Sequence, residues 1–194
     1  MLIYFPFYGI IEPKIKTDKK VLMKAFLKDN RTSEDTPFKT EIEYERRDEG
    51  LFFAFDCENS KLFSAYDEDN APIYKGDVVE VFICACGDRH KYFELEVAPN
   101  GKVFFAKILN KDGIHAEMLD PKSFDSKVSL RENGYSVEIF VPNDVIGVKK
   151  FGEVVFNAYR IETEGGEPEK NLLALNPTLC GSFHMPQFFI DIDK

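Results

Sequence analysis

The sequence has no tryptophan, only three histidines and a deficit of basic residues. Its 25 Lys and Arg residues stand against 34 Asp and Glu residues, so the net charge is −9 and the isoelectric point is about 5.0. The basic residues are dispersed, and no local run is longer than a pair. Because phosphate binding draws on clustered Lys and Arg side chains, this balance argues against a nucleic-acid partner. An acidic surface fits a neutral or cationic ligand, and it is also an ordinary cause of solubility.

Long apolar runs are also absent. No segment reaches the roughly 18 consecutive apolar residues that a membrane helix requires. Residues 1–9 are apolar, but they lack the charged start, the long apolar stretch and the small-residue cleavage site of a secretory signal. We therefore expect no membrane partner and a cytoplasmic location, or secretion if a leader has been trimmed from the chain.

The four cysteines form no recognisable metal or disulfide pattern. Cys84 and Cys86 are two residues apart in a strand-like segment, so their side chains point the same way, and Cys57 and Cys180 lie far along the chain. No second pair lies nearby at zinc-ligand spacing. We expect four reduced thiols, which suits a reducing compartment.

Signatures of common enzymes are missing as well. The chain contains no nucleophile elbow, no zinc-protease motif, no phosphate-binding loop and no dinucleotide fingerprint. Two carboxylates suffice to hydrolyse a glycoside, but neighbours on an open sheet would lack the burial that raises the pKa of an acid catalyst. A haem protein would need axial ligands, for which His184 and Met185 are the only adjacent candidates. We therefore predict a protein that is not an enzyme and needs no cofactor.

What the sequence does contain is a series of short apolar or alternating segments separated by turn residues, with almost no helical periodicity. This pattern predicts an all-β fold, a sandwich or a barrel, in one domain over residues 1–194. Residues 142–147 are expected to form one helical turn, and residues 58–76 and 163–187 long loops. The predicted strands are 21–27, 40–47, 51–57, 78–86, 91–98, 102–107, 127–131, 135–141, 153–162 and 188–192.

The most informative stretch is the predicted hairpin over residues 77–97. We assume that residues 86 and 90 pair across a three-residue loop. The apolar residues then face each other across the two strands: Val79 with Val97, Val81 with Leu95, and Ile83 with Phe93. A slip of one residue would move these side chains to the wrong face, so the register is well determined.

The other face of this hairpin carries an acidic cluster. Glu80 falls opposite Glu96, and Glu94 lies opposite Phe82 on the same side, with Tyr92 next to it. Like charges that face each other destabilise a sheet, so the cluster needs an explanation. It is an open solvated face, a surface whose carboxylates accept ligand hydroxyls beside an aromatic platform, or a cation site, since hard oxygen ligands suit calcium.

Five segments in this order resemble the family 9 carbohydrate-binding modules of the DOMON-like β-sandwich superfamily. The resemblance runs from about residue 40 to the C-terminus. Each piece is short, but their order along the chain is specific. The segments are 73–83 (IYKGDVVEVFI), 92–101 (YFELEVAPNG), 134–142 (GYSVEIFVP), 156–162 (FNAYRIE) and the pair 175–178 (LNPT) with 183–188 (FHMPQF).

The resemblance implies an all-β, two-sheet antiparallel β-sandwich of jelly-roll or immunoglobulin-like architecture, whose concave face and loops take up a saccharide. In sugar-binding members two aromatic side chains hold the sugar ring between them, and the matching positions here are Tyr74 and Phe183. The family usually has tryptophan at both positions, whereas Tyr and Phe offer a smaller face to the sugar. Glu80 matches the hydrogen-bonding carboxylate of the family.

Three further residues are candidates by the same resemblance. Glu94 takes a position where some members carry a basic residue, and Arg160 and His184 match relatives more generally. Arg160 is alternatively an ion-pair partner of Glu80 or Glu96, and His184 alternatively makes a structural hydrogen bond in its turn. The residue run 67–70 is acidic, but its spacing fits no calcium-binding loop and a solvated loop is expected.

The resemblance thus predicts a domain that binds an oligosaccharide or polysaccharide, that catalyses nothing, and that fits association with a glycoside hydrolase. A structural calcium ion is the one addition that these residues leave open. The alternatives are a sandwich that has lost sugar binding and serves in protein interaction, and an enzyme domain associated with glycoside hydrolysis.

Overall fold

The structure, a computed structural model, describes residues 22–59, 61–148 and 152–194. Regular structure within these ranges consists of strands and two 3-10 turns, Ile73–Lys75 and Pro186–Phe188. The strands are β1 (Met23–Phe26), β2 (Lys28–Asp29), β3 (Thr40–Arg46), β4 (Gly50–Glu58), β5 (Val78–Cys84), β6 (Lys91–Val97), β7 (Val103–Asn110), β8 (Ile114–Met118), β9 (Asp125–Arg131), β10 (Gly134–Pro142), β11 (Val155–Glu162), β12 (Asn171–Ala174) and β13 (Ile190–Asp191). The predicted apolar segment 1–9 lies outside the described residues.

The strands form two antiparallel sheets that pack face to face. The smaller sheet has the order β1-β3-β4-β10-β9, and the larger has the order β2-β12-β11-β5-β6-β7-β8, with β13 also paired to β11. The prediction of an all-β, two-sheet antiparallel sandwich is confirmed. Among the described residues no helix has the length and hydropathy needed to span a membrane.

The main core lies between the two sheets and follows from alternation along the strands. In β3, Ile42 and Tyr44 are buried, while Glu41, Glu43 and Glu45, which alternate with them, are partly exposed. The larger sheet contributes Val81 and Phe156, and the Phe156 ring packs on Tyr44 with ring centroids 4.8 Å apart. Removal of this apolar surface from water is the main favourable contribution to folding, at about 25 cal/mol per Å².

The larger sheet is also covered on its other face. All seven residues of β5 are buried, because Val79, Val81 and Ile83 point into the main core while Phe82 and Cys84 point into a second apolar cluster. Loop residues that cover this second face include Ile73, Phe183 and Phe189. The expectation of an open solvated face here is therefore wrong. Chain segments distant in sequence fold over the sheet and bury it.

The predicted register of the central hairpin is confirmed. In the β5–β6 pair Val79 lies opposite Val97, Glu80 opposite Glu96, Val81 opposite Leu95, Phe82 opposite Glu94 and Ile83 opposite Phe93. Each strand of this pair has a second partner, β11 beside β5 and β7 beside β6, so the acidic face occupies the middle of the larger sheet. This position fixes the backbone beneath the three glutamates.

Several predicted boundaries differ from the structure. Strands β2, β8 and β12 were not predicted, and β12 lies within the predicted loop 163–187. Within the predicted helical turn 142–147, Pro142 ends β10 and residues 143–147 form hydrogen-bonded turns. All four cysteines are free thiols, with Cys57 and Cys84 buried.

Candidate functional site

A cleft of about 1000 Å³ opens on the second face of the larger sheet. Its floor is formed by central strands, and its rim by the 3-10 turn Ile73–Lys75 and by residues 168–172 and 181–184. The lining combines four carboxylates, aromatic rings and the side chains of Lys170 and Arg31. A smaller cleft of about 590 Å³ elsewhere is lined mainly by charged side chains, with Phe38 as its aromatic ring. The larger cleft holds the predicted pair of aromatic residues.

The carboxylates of Glu80, Glu94 and Glu96 lie together on the cleft floor. Glu94 and Glu96 point the same way because they are two residues apart in β6, and Glu80 is the cross-strand partner of Glu96. One carboxylate oxygen from each residue lies within 4.8 Å of those from the other two. The residues are only 2%, 7% and 1% exposed, respectively, so little water screens their charges.

Burial changes the acidity of all three groups. Burial raises the pKa of Glu94 to about 7. The pKa of Glu80 is raised well above its ordinary value, first by burial and then by the charge of Glu94. The pKa of Glu96 is also raised, first by burial and then by Glu80 and Glu94. The expectation that these neighbours lack a desolvated setting is therefore wrong.

The ammonium group of Lys170 lies near this cluster on the cleft rim. Lys170 Nζ donates a hydrogen bond to the Tyr74 carbonyl oxygen at 2.6 Å. Burial lowers the pKa of Lys170, while the charges of Glu80 and Glu96 raise it by a smaller amount. Lys170 in turn lowers the pKa of Glu80. The ammonium compensates part of the negative charge and fixes the position of the Tyr74 backbone.

The two predicted aromatic residues both line this cleft, in different ways. Tyr74 is 43% exposed and stands on the 3-10 turn, with Lys170 Nζ 5.5 Å from its ring centroid. Phe183 is 8% exposed, and it stacks on Tyr159 with centroids 4.2 Å apart and planes inclined by 15°. The Tyr159 hydroxyl donates to the Phe183 carbonyl at 3.0 Å. Tyr159 therefore covers one face of Phe183 and holds the ring in a fixed orientation.

His184 also lines the cleft, and its ring is held by the sheet. The Tyr92 hydroxyl and His184 Nδ1 are hydrogen bonded at 2.7 Å, and Asn110 Nδ2 donates to the His184 carbonyl at 2.9 Å. Burial lowers the pKa of His184 to about 4, so the ring is neutral at pH 7. The alternative of a structural hydrogen bond in this turn fits these contacts.

Arg160 lies on the opposite face of the sheet. It stands beside Val79 in the register and points towards the interior between the two sheets, where its side chain is fully buried. The guanidinium pairs with Glu162 and donates to Thr40 Oγ1 at 2.8 Å and to the Glu58 carbonyl at 2.9 Å. The alternative of an ion pair with Glu80 or Glu96 is therefore wrong, and the structure does not bring Arg160 to the cleft.

Some cleft residues were not among the sequence candidates. The sequence does indicate Glu96, because it is two residues from Glu94 in a strand and the two side chains therefore point to the same sheet face. The sequence does not indicate three other cleft residues, Lys170, Asn171 and Ser182, because they lie in a segment without periodicity. Only the folding of residues 163–187 over the sheet brings them to the carboxylates.

No protein-family model matches the chain, and no curated protein has a significantly similar sequence. Solved structures do share its fold. A Bacteroides uniformis protein to which carbohydrate binding has been ascribed gives a TM-score of 0.71 at 13% identity, over 87% of this chain and 84% of that one. A family 9 carbohydrate-binding module of Caldicellulosiruptor kristjanssonii, solved with cellotriose, gives 0.65 at 17% identity over 89% and 82%. A module of that family and organism solved with glucose gives 0.61 at 18% identity over 86% and 82%. The fold is therefore that of the family 9 modules.

Proposed function

We propose that this chain binds an oligosaccharide in the 1000 Å³ cleft and catalyses no reaction. The observation that carries the proposal is the composition of the cleft. Tyr74 and Phe183 line the same space as four carboxylates, a lysine and an arginine. Apolar rings that bury the C–H face of a sugar, together with a few polar groups for its hydroxyls, are what saccharide recognition requires.

Each group has a definite part in this proposal. The exposed ring of Tyr74 and the face of Phe183 that Tyr159 leaves uncovered bind the apolar faces of a sugar. Glu80 and Glu94 form hydrogen bonds to its hydroxyls, as acceptors when ionised and as donors when protonated. Because Tyr and Phe offer less area than tryptophan, we expect weaker binding than a tryptophan pair would give.

Glycoside hydrolysis is the second candidate, and one observation favours it. A carboxyl group with a pKa of about 7 in a cleft is what a general acid needs. A hydrolase, however, places its two carboxyl groups on opposite sides of the scissile bond, about 5–5.5 Å or about 6.5–9.5 Å apart. The three buried glutamates here stand side by side on one sheet face, so they do not flank a bond from opposite sides. We infer that they bind and do not cleave.

The experiment is a glycan array probed with the purified protein, with calorimetry on each saccharide that binds. Cellotriose and glucose are the first probes, because they occupy modules of the same fold. We expect Phe183→Leu to weaken binding, since leucine keeps the contact with Tyr159 but loses the flat ring. Circular dichroism checks that the variant is folded.

The matched control is Phe26→Ala, because Phe26 is 60% exposed on β1 of the smaller sheet. It should bind as the wild type does. Absence of binding to every glycan would overturn the proposal in favour of a sandwich that serves in protein interaction. Release of free sugar from a bound oligosaccharide would overturn the non-catalytic part. Association with a glycoside hydrolase, a cytoplasmic location and membership of the DOMON-like superfamily stay predictions.

A further inference from the structure

The three glutamates of the cleft floor are arranged like the ligands of a metal ion. Their oxygens converge within 4.8 Å from two adjacent strands, and all three residues are buried. Central strands carry them, so their backbone positions are fixed by pairing on both sides. The group contains oxygen ligands only, without histidine or cysteine. Hard cations prefer such ligands, whereas zinc and copper favour nitrogen and sulfur.

A second observation is an unsatisfied oxygen atom within this cluster. Glu96 is only 1% exposed and lines the cleft, yet its Oε2 atom has no hydrogen-bond partner. A buried acceptor left unsatisfied costs about 1–3 kcal/mol, and more when it is charged. The nearby ammonium of Lys170 is directed to the Tyr74 carbonyl. A positive charge that contacts Glu96 Oε2 directly would remove this cost.

We propose that Glu80, Glu94 and Glu96 bind one divalent cation, and that this cation is Ca²⁺. Ca²⁺ takes six to eight oxygen ligands in a flexible geometry, whereas Mg²⁺ keeps several waters and is usually held by one or two carboxylates. A group of three carboxylates whose oxygens lie within 4.8 Å of one another therefore fits Ca²⁺ better. When the three carboxylates are ionised, they and Lys170 carry a net charge of −2, which the ion neutralises. Its remaining coordination positions face the cleft.

The test is a calorimetric titration of CaCl₂ into chelator-treated protein at about pH 8, because carboxyl groups must be deprotonated to bind a metal ion and the pKa values of these three are raised. We expect one binding site. Glu94→Gln and Glu96→Gln should each reduce the affinity at least about tenfold, because each removes a charged ligand. Both substitutions keep the size of the side chain and remove a buried charge, so the fold should be retained. The matched control is Glu138→Gln, since Glu138 is exposed on β10 of the smaller sheet.

Two results would overturn the proposal. One is the absence of binding up to about 10 mM CaCl₂, since even weak protein calcium sites have dissociation constants of about 1 mM. The other is binding that survives in both glutamine variants, which would place the ion elsewhere. MgCl₂ binding as tight as CaCl₂ binding would refute the choice of ion. The titration needs no saccharide, so its failure is separate from a failure of the proposed function.

Discussion

At the scale of single residues, His184 joins the cleft to the apolar cluster beneath it. Its Nδ1 is bonded to the Tyr92 hydroxyl, and its ring lies 5.1 Å from that of Phe82, centroid to centroid. Asn110 Nδ2 donates to the same hydroxyl at 3.4 Å, which leaves the Tyr92 proton for His184. The neutral ring thus fits its surroundings, and a charged ring would lack a partner there.

His184 should therefore make stability depend on pH. Its pKa is about 4 in the folded protein, against 6.5 ordinarily, so the unfolded chain takes up a proton first as the pH falls. The free energy of unfolding should fall between about pH 6.5 and pH 4, by at most about 3 kcal/mol from this residue. Urea unfolding of the wild type and of His184→Gln should show this difference. A difference between the two that does not change with pH would contradict the assignment.

The three cleft glutamates show which properties of the site can be predicted from the sequence. The alternation of side chains along β5 and β6 was enough to place Glu80, Glu94 and Glu96 on one face. Their burial was not predictable in the same way. It comes from residues 181–184 and the 3-10 turn at Ile73–Lys75, which carry no periodic signal. The sequence thus predicted that these three glutamates lie on one face. It did not predict that they are buried or that their pKa values are raised.

At the scale of elements, Gly50 illustrates how closely strands approach in the smaller sheet. It begins β4 and pairs with Pro142 of β10. A Cβ atom at this position would overlap the Val141 carbonyl oxygen and the Phe140 ring. The contact with backbone cannot be relieved by rotating a side chain, so a larger residue must displace the strand.

Gly50→Ala should accordingly lower the free energy of unfolding by about 1–3 kcal/mol, the range for overpacking. Gly181→Ala is the control, because its nearest neighbours would be Arg31 side-chain atoms at 3.8 Å. Denaturant unfolding measures both variants. Equal stability of Gly50→Ala and the wild type would show that the two strands are farther apart than described.

The missed strands have physical reasons of their own. β12 reads Asn-Leu-Leu-Ala, without alternation and rich in residues that favour helices, and it is a strand because β11 offers it a paired edge. β8 contains alanine, glutamate and methionine, and all its residues are exposed. Strands whose residues alternate or carry many β-branched and aromatic side chains, such as β3 and β5, were found from the sequence. The missed strands form because a neighbouring strand pairs with them.

At the scale of the whole molecule, a buried arginine links the two sheets. Arg160 extends from β11 of the larger sheet to Thr40 of β3 and to the Glu58 carbonyl of β4 in the smaller one. Glu162 balances its charge. A buried pair of this kind tolerates the loss of one partner poorly, because the other charge then stays buried and uncompensated.

Arg160→Met should lower the free energy of unfolding by about 3–5 kcal/mol. Ligand binding in the cleft should be unchanged, because Arg160 lies on the other face of the sheet. Denaturant unfolding gives the first quantity and calorimetry the second. Thr40→Val, which removes a single acceptor, is a milder variant for the case in which Arg160→Met does not fold. Lost ligand affinity with unchanged stability would contradict this role.

The sandwich is shared with structures that are only 13–18% identical to this chain. A fold can be shared at such low identity because it depends on the pattern of apolar residues and on the total volume of the core more than on particular side chains. The ligand depends on a few side chains in one cleft, for which fold similarity is a weak guide. The cleft therefore needs its own measurement.

That measurement is calorimetry of Tyr74→Ala against wild type, with the saccharide that binds best on the glycan array. Tyr74 is 43% exposed, so its removal should leave the fold intact. We predict at least about a tenfold loss of affinity, equivalent to about 1.4 kcal/mol, with no change for Phe26→Ala. Unchanged affinity in Tyr74→Ala, or a wild type that binds no saccharide at all, would contradict the assignment of this cleft to carbohydrate binding.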